Sequence, residues 1–469
     1  MTGRQRRFGL ASSIALTLAS AMLWGVAHLA TERRRTGLAL MAAYVLMLAL
    51  ILTVVTALGA KLLTLAVQPA WLTALTVLLA VIALAWTAVI VWSYLLVRPA
   101  TAVGRGVTTV LTVGLCGVVL VPTVYAARVT YLSRDVVNTL FAGNTAPIVA
   151  EDPWSGAERI NLLLLGADSA PGRPGVRTDS MTVASVDTTT GDTVLFGLPR
   201  NLQRVELPEG PARERFPYGF SGDGPDTPGL LNEVFQYAED YPEMVPGVHK
   251  GKRGPAMLKE TISGILGIPV SYYTMVDMKG FAQIIDAIGG VTVTIKEPIV
   301  YGKYREGLLP AGTRRLGGQE ALWFGRSRTD SDDYVRMGRQ KCLLNAVAKQ
   351  ADPVTVLNSF EGLAAATKRA ISTDIPQNLL PSLVDLAQKV KESRIKSLSF
   401  VPPLISTAYP DWSLIRRKVT QALAERPDDN VSTPGSTPDN TADSTPTATP
   451  TRTRTQSAED PIALDHACD

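Results

Sequence analysis

Cysteine and histidine are scarce in this sequence, with three of each in 469 residues. Cys116 lies in an apolar run, Cys342 in a predicted helix and Cys468 in a polar C-terminal segment. No disulfide framework is therefore expected, and only the last two could pair. The lack of a Cys/His cluster argues against a zinc site, so any bound metal is expected to be a hard cation held by carboxylates.

The sequence also lacks a strong net charge. Its formal charge of +4 is too small to indicate a nucleic-acid partner. Charge is distributed unevenly, because residues 1–127 are mostly apolar and the remainder has the mixed composition of a soluble domain. At least two structural units are therefore expected.

Three charge-free apolar runs reach the roughly 20 residues that a helix needs to cross a bilayer. They are residues 37–60, 71–97 and 107–127. A fourth run, residues 8–31, is also free of formal charge but contains serines, threonines and a histidine. We predict three spans in a membrane region covering residues 1–127, preceded by a segment that is interfacial, re-entrant or a fourth span.

Arginines predict the orientation of this region, because positive residues favour the cytoplasmic side. They form three clusters: Arg4, Arg6 and Arg7; Arg33, Arg34 and Arg35; Arg98 and Arg105. All three clusters can be cytoplasmic only if the first apolar run enters and returns, or lies at the interface. Three spans then place everything after residue 127 outside, whereas four full spans leave one cluster misplaced. We expect a multi-pass protein of the cell membrane with an extracytoplasmic domain.

The rest of the chain divides by composition into three parts. Residues 128–158 contain several Asn, Pro and Gly breakers and are predicted to be a stalk and linker. Residues 426–469 are rich in Ser, Thr, Pro and Asp and are predicted to be a disordered tail. Between them, in residues 159–425, short apolar runs typical of strands alternate with helical patterns. We predict an α/β domain built as a three-layer α/β/α sandwich.

Two aspartates and an arginine flank one predicted loop of this domain. Asp168 directly follows an apolar run, and a turn rich in Gly and Pro leads from it to Arg177 and Asp179. A carboxylate just beyond a strand lies where open α/β sheets commonly bind ligands. The three side chains suit a metal-bound phosphate, with Mg²⁺ on the carboxylates and phosphate oxygens on the arginine. Simple turn capping is the alternative.

Further arginines follow two later segments of the domain. Arg200 ends the next apolar run and would reach the same sheet edge if neighbouring strands are parallel. A second segment carries Arg326, Arg328, Asp333, Arg336, Arg339 and Gln340. Its first two arginines share a face of extended chain, and its last three residues share a face of a helix. Convergent arginines are what a pyrophosphate requires, although a solvated, salt-bridged face is the alternative.

These motifs, in this order, resemble the LytR-CpsA-Psr family of cell-wall glycopolymer ligases over residues 159–350. The order is Gly-Ala-Asp168, Arg177-Thr-Asp179-Ser, Leu-Pro-Arg200, Leu231-Asn232-Glu233, Ile288-Gly-Gly-Val, and Arg326 to Gln340. The resemblance implies the sandwich fold, an apolar groove for a polyprenyl chain and an arginine-lined mouth for its pyrophosphate. One position departs from the family, which often has Asp after Pro-Arg where this chain has Asn201. We therefore expect Arg200 to be held less rigidly.

The resemblance also implies residue roles. The metal ligands for Mg²⁺ or Mn²⁺ would be Asp168 and Asp179. The catalytic set would be Asp168, Asp179, Arg200, Arg326, Arg328, Asp333 and Arg336. The substrate-binding set would be Arg177, Arg200, Arg326, Arg328, Arg336, Arg339 and Gln340. Asp333 would orient an arginine or assist proton transfer.

The implied reaction joins a polyprenyl-pyrophosphate-linked glycan to a peptidoglycan hydroxyl and releases polyprenyl phosphate at the surface of the lipid bilayer. Two other functions fit the same residues. A pyrophosphatase would use water as the acceptor and leave free glycan phosphate. A non-enzymatic membrane regulator would bind the lipid pyrophosphate through the arginines, and its binding would survive loss of the two aspartate charges.

Overall fold

The computed structural model describes residues 8–58, 65, 68–141, 152–168, 175–225, 227–350, 370–424 and 462–463. The chain divides into two compact units. The first comprises Met1–Gly143 and Gln377–Val384, and the second comprises Asn144–Pro376 and Asp385–Asp469. The boundary at residue 143 lies within the segment predicted as stalk and linker.

The described N-terminal part of the first unit is helical. Its helices are α1 (Leu10–Met22), α2 (Val26–Ala30), α3 (Arg34–Leu58), α4 (Pro69–Leu96) and α5 (Ala102–Leu140). The last three are long and apolar enough to cross a membrane. They contain the three predicted spans, apart from residues 59–60, which lie outside the described residues, and Val97, which follows the end of α4. Helix α5 continues into the predicted stalk because apolar residues recur there at helical spacing.

Helices α1 and α2 form a short hairpin. Helix α1 is ~20 Å long, which is too short for a hydrocarbon core of ~30 Å. It begins beside the C-terminal end of α4, where Ser13 Oγ donates to the carbonyl of Val97 (2.6 Å). It ends further along α4, where the Trp86 indole donates to a carbonyl in its last turn (3.0 Å). Helix α2 then returns, with the rings of His28 and Trp92 4.7 Å apart. Both ends of the hairpin therefore lie toward the same end of α4.

The second unit is built around β-strands. They are β1 (Arg159–Asp168), β2 (Arg177–Asp187), β3 (Thr193–Leu198), β4 (Tyr272–Asp277), β5 (Val291–Ile295), β6 (Ile299–Tyr301), β7 (Gly307–Leu309), β8 (Gly312–Leu316), β9 (Ile371–Thr373), β10 (Ile395–Ser399) and β11 (Ile462–Ala463). Seven of them form a mixed sheet in the order β11-β10-β3-β2-β1-β4-β9. Strand β2 is antiparallel to both β1 and β3, so β1 and β3 run in the same direction.

Helices connect these strands. They are α6 (Pro211–Arg215), α7 (Val234–Asp240), α8 (Arg253–Leu266), α9 (Met278–Ala287), α10 (Gly318–Arg326), α11 (Asp333–Gln350), α12 (Leu380–Glu392) and α13 (Trp412–Ala424). Short 3₁₀ turns lie at Leu231–Glu233 and Pro242–Met244. A third, at Gln377–Leu379, belongs with the first residues of α12 to the first unit. Helix α8 shows why such segments fold: Leu258, Ile262 and Ile265 bury one face, and Gly267 ends the helix at a φ of +70° that glycine adopts without strain.

Alternate residues of the central strands face two different apolar cores, as the period of two along a strand requires. Leu163, Val183 and Phe196 are fully buried in the larger core, to which α7, α8 and α13 contribute. On the opposite face, Leu195 packs in a cluster with Leu386 of α12. This mixed sheet confirms the predicted α/β class, and the full three-layer arrangement stays a prediction.

A smaller core forms beside the sheet. Strand β5 pairs with β8, and β6 pairs with β7. Helices α9, α10 and α11 share a buried cluster with the β5–β8 pair, and this cluster includes Ile285, Val293, Phe324 and Leu343. This cluster fixes the positions of α10 and α11, whose connection carries the predicted arginine motif.

The C-terminal region differs from its prediction at one place. Most of residues 426–469 lies outside the described residues, but Ile462–Ala463 pairs with β10 in antiparallel fashion. The prediction of a disordered tail is wrong at these two residues, because a short apolar pair extends the sheet edge. Cys342 is disulfide-bonded and Cys116 is free. The third cysteine, Cys468, lies outside the described residues.

Candidate active site

Three strand ends meet at one edge of the sheet. Asp168 ends β1 and lies opposite Arg177, the first residue of β2. Asp179 follows two residues later, and Arg200 lies two residues beyond the end of β3. The sequence analysis placed Arg200 at this edge on the condition that neighbouring strands are parallel. Instead β2 lies between β1 and β3, antiparallel to both, and Arg200 still reaches the same edge. Residues 169–174 of the connecting loop lie outside the described residues.

The turn between α10 and α11 supplies the other charged groups. Arg326 is the last residue of α10, and Arg328 lies two residues further along the chain. Helix α11 begins at Asp333, which places Arg336 three residues into the helix. Asp332 caps this helix, since its Oδ1 accepts hydrogen bonds from two backbone N–H groups of the first turn (2.9 and 2.8 Å). The cap fixes the direction in which the first turn presents its side chains.

These side chains line one cavity of about 880 Å³. Eight of the predicted site residues lie in its wall: Asp168, Arg177, Asp179, Arg200, Arg326, Arg328, Asp333 and Arg336. The described lining carries six basic and four acidic side chains. It therefore has a surplus of two positive charges, which suits an anionic ligand.

An inner network of ion pairs lies on one side of the cavity. Arg200 Nη1 is 2.6 Å from Asp179 Oδ1, and Arg200 Nε is 3.1 Å from Asp333 Oδ1. Arg336 is only 3% exposed; its Nη2 lies 3.1 Å from Asp333 Oδ1 and donates to the carbonyl of Asp179 (2.8 Å). Arg200 is thus held between two carboxylates without an acid at Asn201. Two other elements, β2 and α11, supply these partners. The expectation that Arg200 is held less rigidly than in the family stays a prediction.

The outer arginines are more exposed. Arg326 Nη2 contacts Asp168 Oδ2 at 3.0 Å, and its side chain is 39% exposed. Arg328 Nη1 lies 3.7 Å from Asp333 Oδ1, and its side chain is 46% exposed. A guanidinium carries five N–H donors. These two arginines therefore keep donors available for a ligand at the mouth of the cavity.

The inner network shifts the pKa values of its own charged groups. Burial alone would raise the pKa of Asp179, but Arg200, Arg336 and a hydrogen bond from Asn232 hold this pKa below its usual value. Burial opposes a charged Arg200, yet Asp179 and Asp333 raise its pKa. Burial lowers the pKa of Arg336, with Asp333 and Asp179 acting in the opposite direction. The carboxylate of Asp179 is therefore ionised at neutral pH, and so are the guanidinium groups around it.

Two predicted substrate-binding residues lie elsewhere. The Arg339 guanidinium donates to the carbonyl of Phe324 (3.4 Å) and to Ser331 Oγ. Gln340 Nε2 donates to the carbonyl of Gly325 (3.0 Å). Arg336, which was predicted to share their helical face, lines the cavity, whereas Arg339 and Gln340 both donate to carbonyls of α10. These residues fasten α11 to the end of α10 that carries Arg326.

The structure also brings in residues to which the sequence analysis gave no role. Lys303, in the connection between β6 and β7, lines the cavity. Trp323 lines it too and stacks on Tyr301 with ring centroids 5.1 Å apart. Asn232 Nδ2 donates to Asp179 Oδ1 (3.3 Å). The motif containing Asn232 was the available signal, but only the fold shows which side chain it reaches.

Asp168 and Asp179, the predicted metal ligands, both line this cavity. Among the described residues, no three His, Cys, Asp or Glu side chains converge as a metal site. Two carboxylates nevertheless suit Mg²⁺, which usually keeps waters and substrate phosphate oxygens as its other ligands. A buried oxygen nearby, Asn232 Oδ1, has no hydrogen-bond partner among the described groups. The all-oxygen donor set therefore fits a hard cation.

The sequence pattern of the LytR_cpsA_psr family matches residues 134–407. The chain belongs to this family. The matched range contains every cavity residue named above and strands β1 to β10. The LytR-CpsA-Psr region therefore covers every strand of the sheet except β11, together with the α10–α11 turn and the cavity arginines.

Similar proteins include two polyisoprenyl-teichoic acid–peptidoglycan teichoic acid transferases named TagU. That of Oceanobacillus iheyensis is 26% identical over 229 residues, which are 48% of this chain and 62% of the relative. That of Bacillus mycoides is 24% identical over 226 residues, covering 48% and 63%. The chain thus spans less than two thirds of the length of these relatives. Among solved structures, Bacillus subtilis TagV is 22% identical with a TM-score of 0.40, covering 58% of this chain and 99% of TagV.

Proposed function

We propose that this chain is a phosphotransferase that moves a glycan phosphate from a polyprenyl-pyrophosphate carrier to a hydroxyl group of peptidoglycan. Family membership and the names of the TagU relatives support the proposal. The observation that carries it is the arrangement of arginines: an inner pair tied to aspartates, beside a more exposed pair, around one cavity with two surplus positive charges.

The charge of the cavity matches the proposed donor. A pyrophosphate esterified at both ends carries two negative charges at neutral pH, opposite in sign to the surplus in the described lining. Arg326 and Arg328 offer planar forks that bind phosphate oxygens in pairs. Arg200 and Arg336 are already held in place, so little reorganisation is needed when charge develops on the transferring group.

The proposed reaction exchanges one phosphorus–oxygen bond for another. The acceptor hydroxyl oxygen bonds to the phosphorus that carries the glycan, and the bond from that phosphorus to polyprenyl phosphate breaks. Polyprenyl phosphate leaves with the electron pair, and the hydroxyl proton passes to a carboxylate of the cavity. The arginines stabilise the phosphoryl oxygens throughout. Asp333 is engaged by three guanidiniums, which favours orientation of arginines as its role.

We also propose that the reaction depends on Mg²⁺ or Mn²⁺. Asp168 and Asp179 would hold the cation, and both line the cavity. Bound there, the cation would neutralise charge on the phosphate oxygens.

We propose a location that the first unit and one cysteine support. Both ends of the α1–α2 hairpin lie toward the end of α4 that precedes Arg98, so all the arginine clusters can be cytoplasmic. Three spans then place the second unit outside. The disulfide bond of Cys342 supports this orientation, since disulfides persist in oxidising compartments. We propose a multi-pass protein whose extracytoplasmic domain is a three-layer α/β/α sandwich.

The test uses the full-length protein in detergent micelles with a synthetic polyprenyl-pyrophosphate glycan and peptidoglycan. With Mg²⁺, we expect polyprenyl phosphate to be released and glycan to appear on peptidoglycan. Omission of metal, Asp168→Asn and Arg326→Ala are each expected to abolish both signals. Arg394→Ala is the matched control, because Arg394 is exposed and lies at the opposite end of the sheet.

Two other results would contradict the proposal in different ways. Glycan phosphate left in solution would show a pyrophosphatase. Tight binding of the lipid without turnover, under every metal and acceptor tried, would show a binding protein.

A further inference from the structure

Asn232 lies beside the proposed metal ligands and is almost fully buried, with 3% of its surface exposed. Its side-chain Nδ2 donates to Asp179 Oδ1 (3.3 Å), and its backbone N–H donates to the carbonyl of Arg200 (3.1 Å). Asn232 therefore joins the end of β3 to a carboxylate of β2. Through Asn232, the Leu231–Glu233 turn contacts a carboxylate of the cavity wall.

The hydrogen bonds of Asp179 are unevenly distributed between its two oxygens. Oδ1 accepts from Arg200 Nη1 (2.6 Å) and from Asn232 Nδ2. Within the described structure, no hydrogen bond reaches Oδ2. With Oδ1 fixed by two donors from different elements, the carboxylate cannot rotate freely, and Oδ2 stays available to a ligand in the cavity.

The turn itself does not need the Asn232 side chain. Glu233 Oε2 accepts from the backbone N–H groups of Gly229 and Leu230 (both 3.0 Å). The Leu231 N–H donates to the carbonyl of Leu202 (2.9 Å). These bonds involve no atom of the Asn232 side chain. The Asn232 amide is buried, its Nδ2 donates to the carboxylate of Asp179, and its oxygen has no partner in the described structure. The presence of a buried amide at this position therefore needs a reason other than the stability of the turn.

We propose that Asn232 is a positioning residue that fixes the rotamer of Asp179, so that Oδ2 is presented to a divalent cation. This inference rests on the metal site of the proposed function. A neutral donor suits the task, because it immobilises the carboxylate while leaving its charge for the cation. Residues that hydrogen-bond to a metal ligand commonly contribute ten- to a hundredfold to metal affinity.

The test measures Mn²⁺ binding to the full-length protein in detergent micelles by the electron paramagnetic resonance of free Mn²⁺. Asn232→Ala is expected to weaken Mn²⁺ binding about tenfold. Asn232→Leu fills the space but supplies no donor, and it is expected to be equally weak. Asn201→Ala is the matched control: its amide oxygen is also buried without a described partner, but Asn201 makes no hydrogen bond to Asp179 in the described structure. It is expected to stay within twofold of wild type.

The melting temperature without metal separates positioning from packing. Positioning predicts that Asn232→Leu melts close to wild type yet binds Mn²⁺ weakly. Recovery of Mn²⁺ affinity by Asn232→Leu would overturn the proposal, and so would affinities within twofold for both variants. Failure of the wild type to bind Mn²⁺ would overturn it together with the metal dependence of the proposed function. Normal wild-type binding with unaffected variants would overturn the role of Asn232 alone.

Discussion

The inner and outer arginines of the cavity differ in burial and in partners. Arg336 is 3% exposed and the Arg200 side chain 20%, and each contacts Asp333 while also reaching Asp179. The side chains of Arg326 and Arg328 are 39% and 46% exposed, and each contacts one carboxylate among the described residues. The inner pair therefore maintains the shape of the site, and the outer pair is available to the substrate.

This difference predicts that mutations of the inner and outer residues affect different properties of the protein. Removing one partner from a buried ion pair leaves an uncompensated charge and costs about 3–5 kcal/mol. Exposed pairs contribute only about 0–1 kcal/mol. Inner residues should therefore affect stability first, and outer residues should affect substrate binding first.

The largest expected effect is on the inner network. Asp333→Asn removes the charge that Arg200 and Arg336 share, and we expect a loss of ~3 kcal/mol in stability. Thermal unfolding in detergent micelles would show it as a lower melting temperature. Asp332→Asn is the control, since asparagine caps a helix about as well as aspartate. Equal melting temperatures for the two variants would contradict the distinction between inner and outer groups.

A smaller free-energy change is expected at the mouth. Arg328→Ala should raise KM for the lipid-linked glycan ten- to a hundredfold, because a hydrogen bond to a charged group is worth about 1.5–3 kcal/mol. Its melting temperature should stay close to wild type. Arg328→Lys keeps the charge but loses the planar fork, so an intermediate KM is expected. An unchanged KM accompanied by a lower melting temperature would place Arg328 with the inner group.

The Asp179–Arg200 pair predicts a pH dependence. The pKa of Asp179 is held below its usual value, as burial is outweighed by Arg200, Arg336 and Asn232. Such a carboxylate stabilises the fold fully above its unfolded pKa of about 4, and the contribution is lost as pH falls through the lower folded pKa. The difference in melting temperature between wild type and Asp179→Asn should therefore be constant from pH 7 to about 5 and shrink below about 4. A difference that persists unchanged in acid would contradict this pairing.

The smallest expected effect is at Asn201, where the family often has aspartate. Arg200 already contacts Asp179 and Asp333, so a third acid adds little. Asn201→Asp is expected to change kcat/KM by less than about twofold, since a surplus ion pair contributes little. A gain of tenfold or more would show that Arg200 is incompletely held.

Local patterns predicted the parts of the site that lie at strand ends. The apolar run before Asp168 and the turn before Arg177 are both short-range signals, and the structure places these residues opposite one another. The position of Arg200 was predicted from an assumption of adjacent parallel strands. Arg200 still lies at that edge, because β2 is antiparallel to both β1 and β3, so β1 and β3 run in the same direction.

The remaining features depend on contacts that no local pattern contains. Helical spacing correctly grouped Arg339 with Gln340, but it could not show that α10 would take up their hydrogen bonds. Lys303 lines the cavity and Asn232 contacts Asp179 in its wall, and both come from segments far from Asp179 in sequence. The pairing of Ile462–Ala463 with β10 involves two residues, too few to give a strand pattern.

The central claim, transfer to a hydroxyl of peptidoglycan, is tested most directly by running the reaction in water enriched in ¹⁸O. The full-length protein, Mg²⁺, the polyprenyl-pyrophosphate glycan and peptidoglycan are mixed, and the glycan phosphate is analysed by mass spectrometry. We predict glycan phosphate bound to peptidoglycan with no ¹⁸O. Free glycan phosphate carrying one ¹⁸O atom would show that water is the acceptor and would contradict the account.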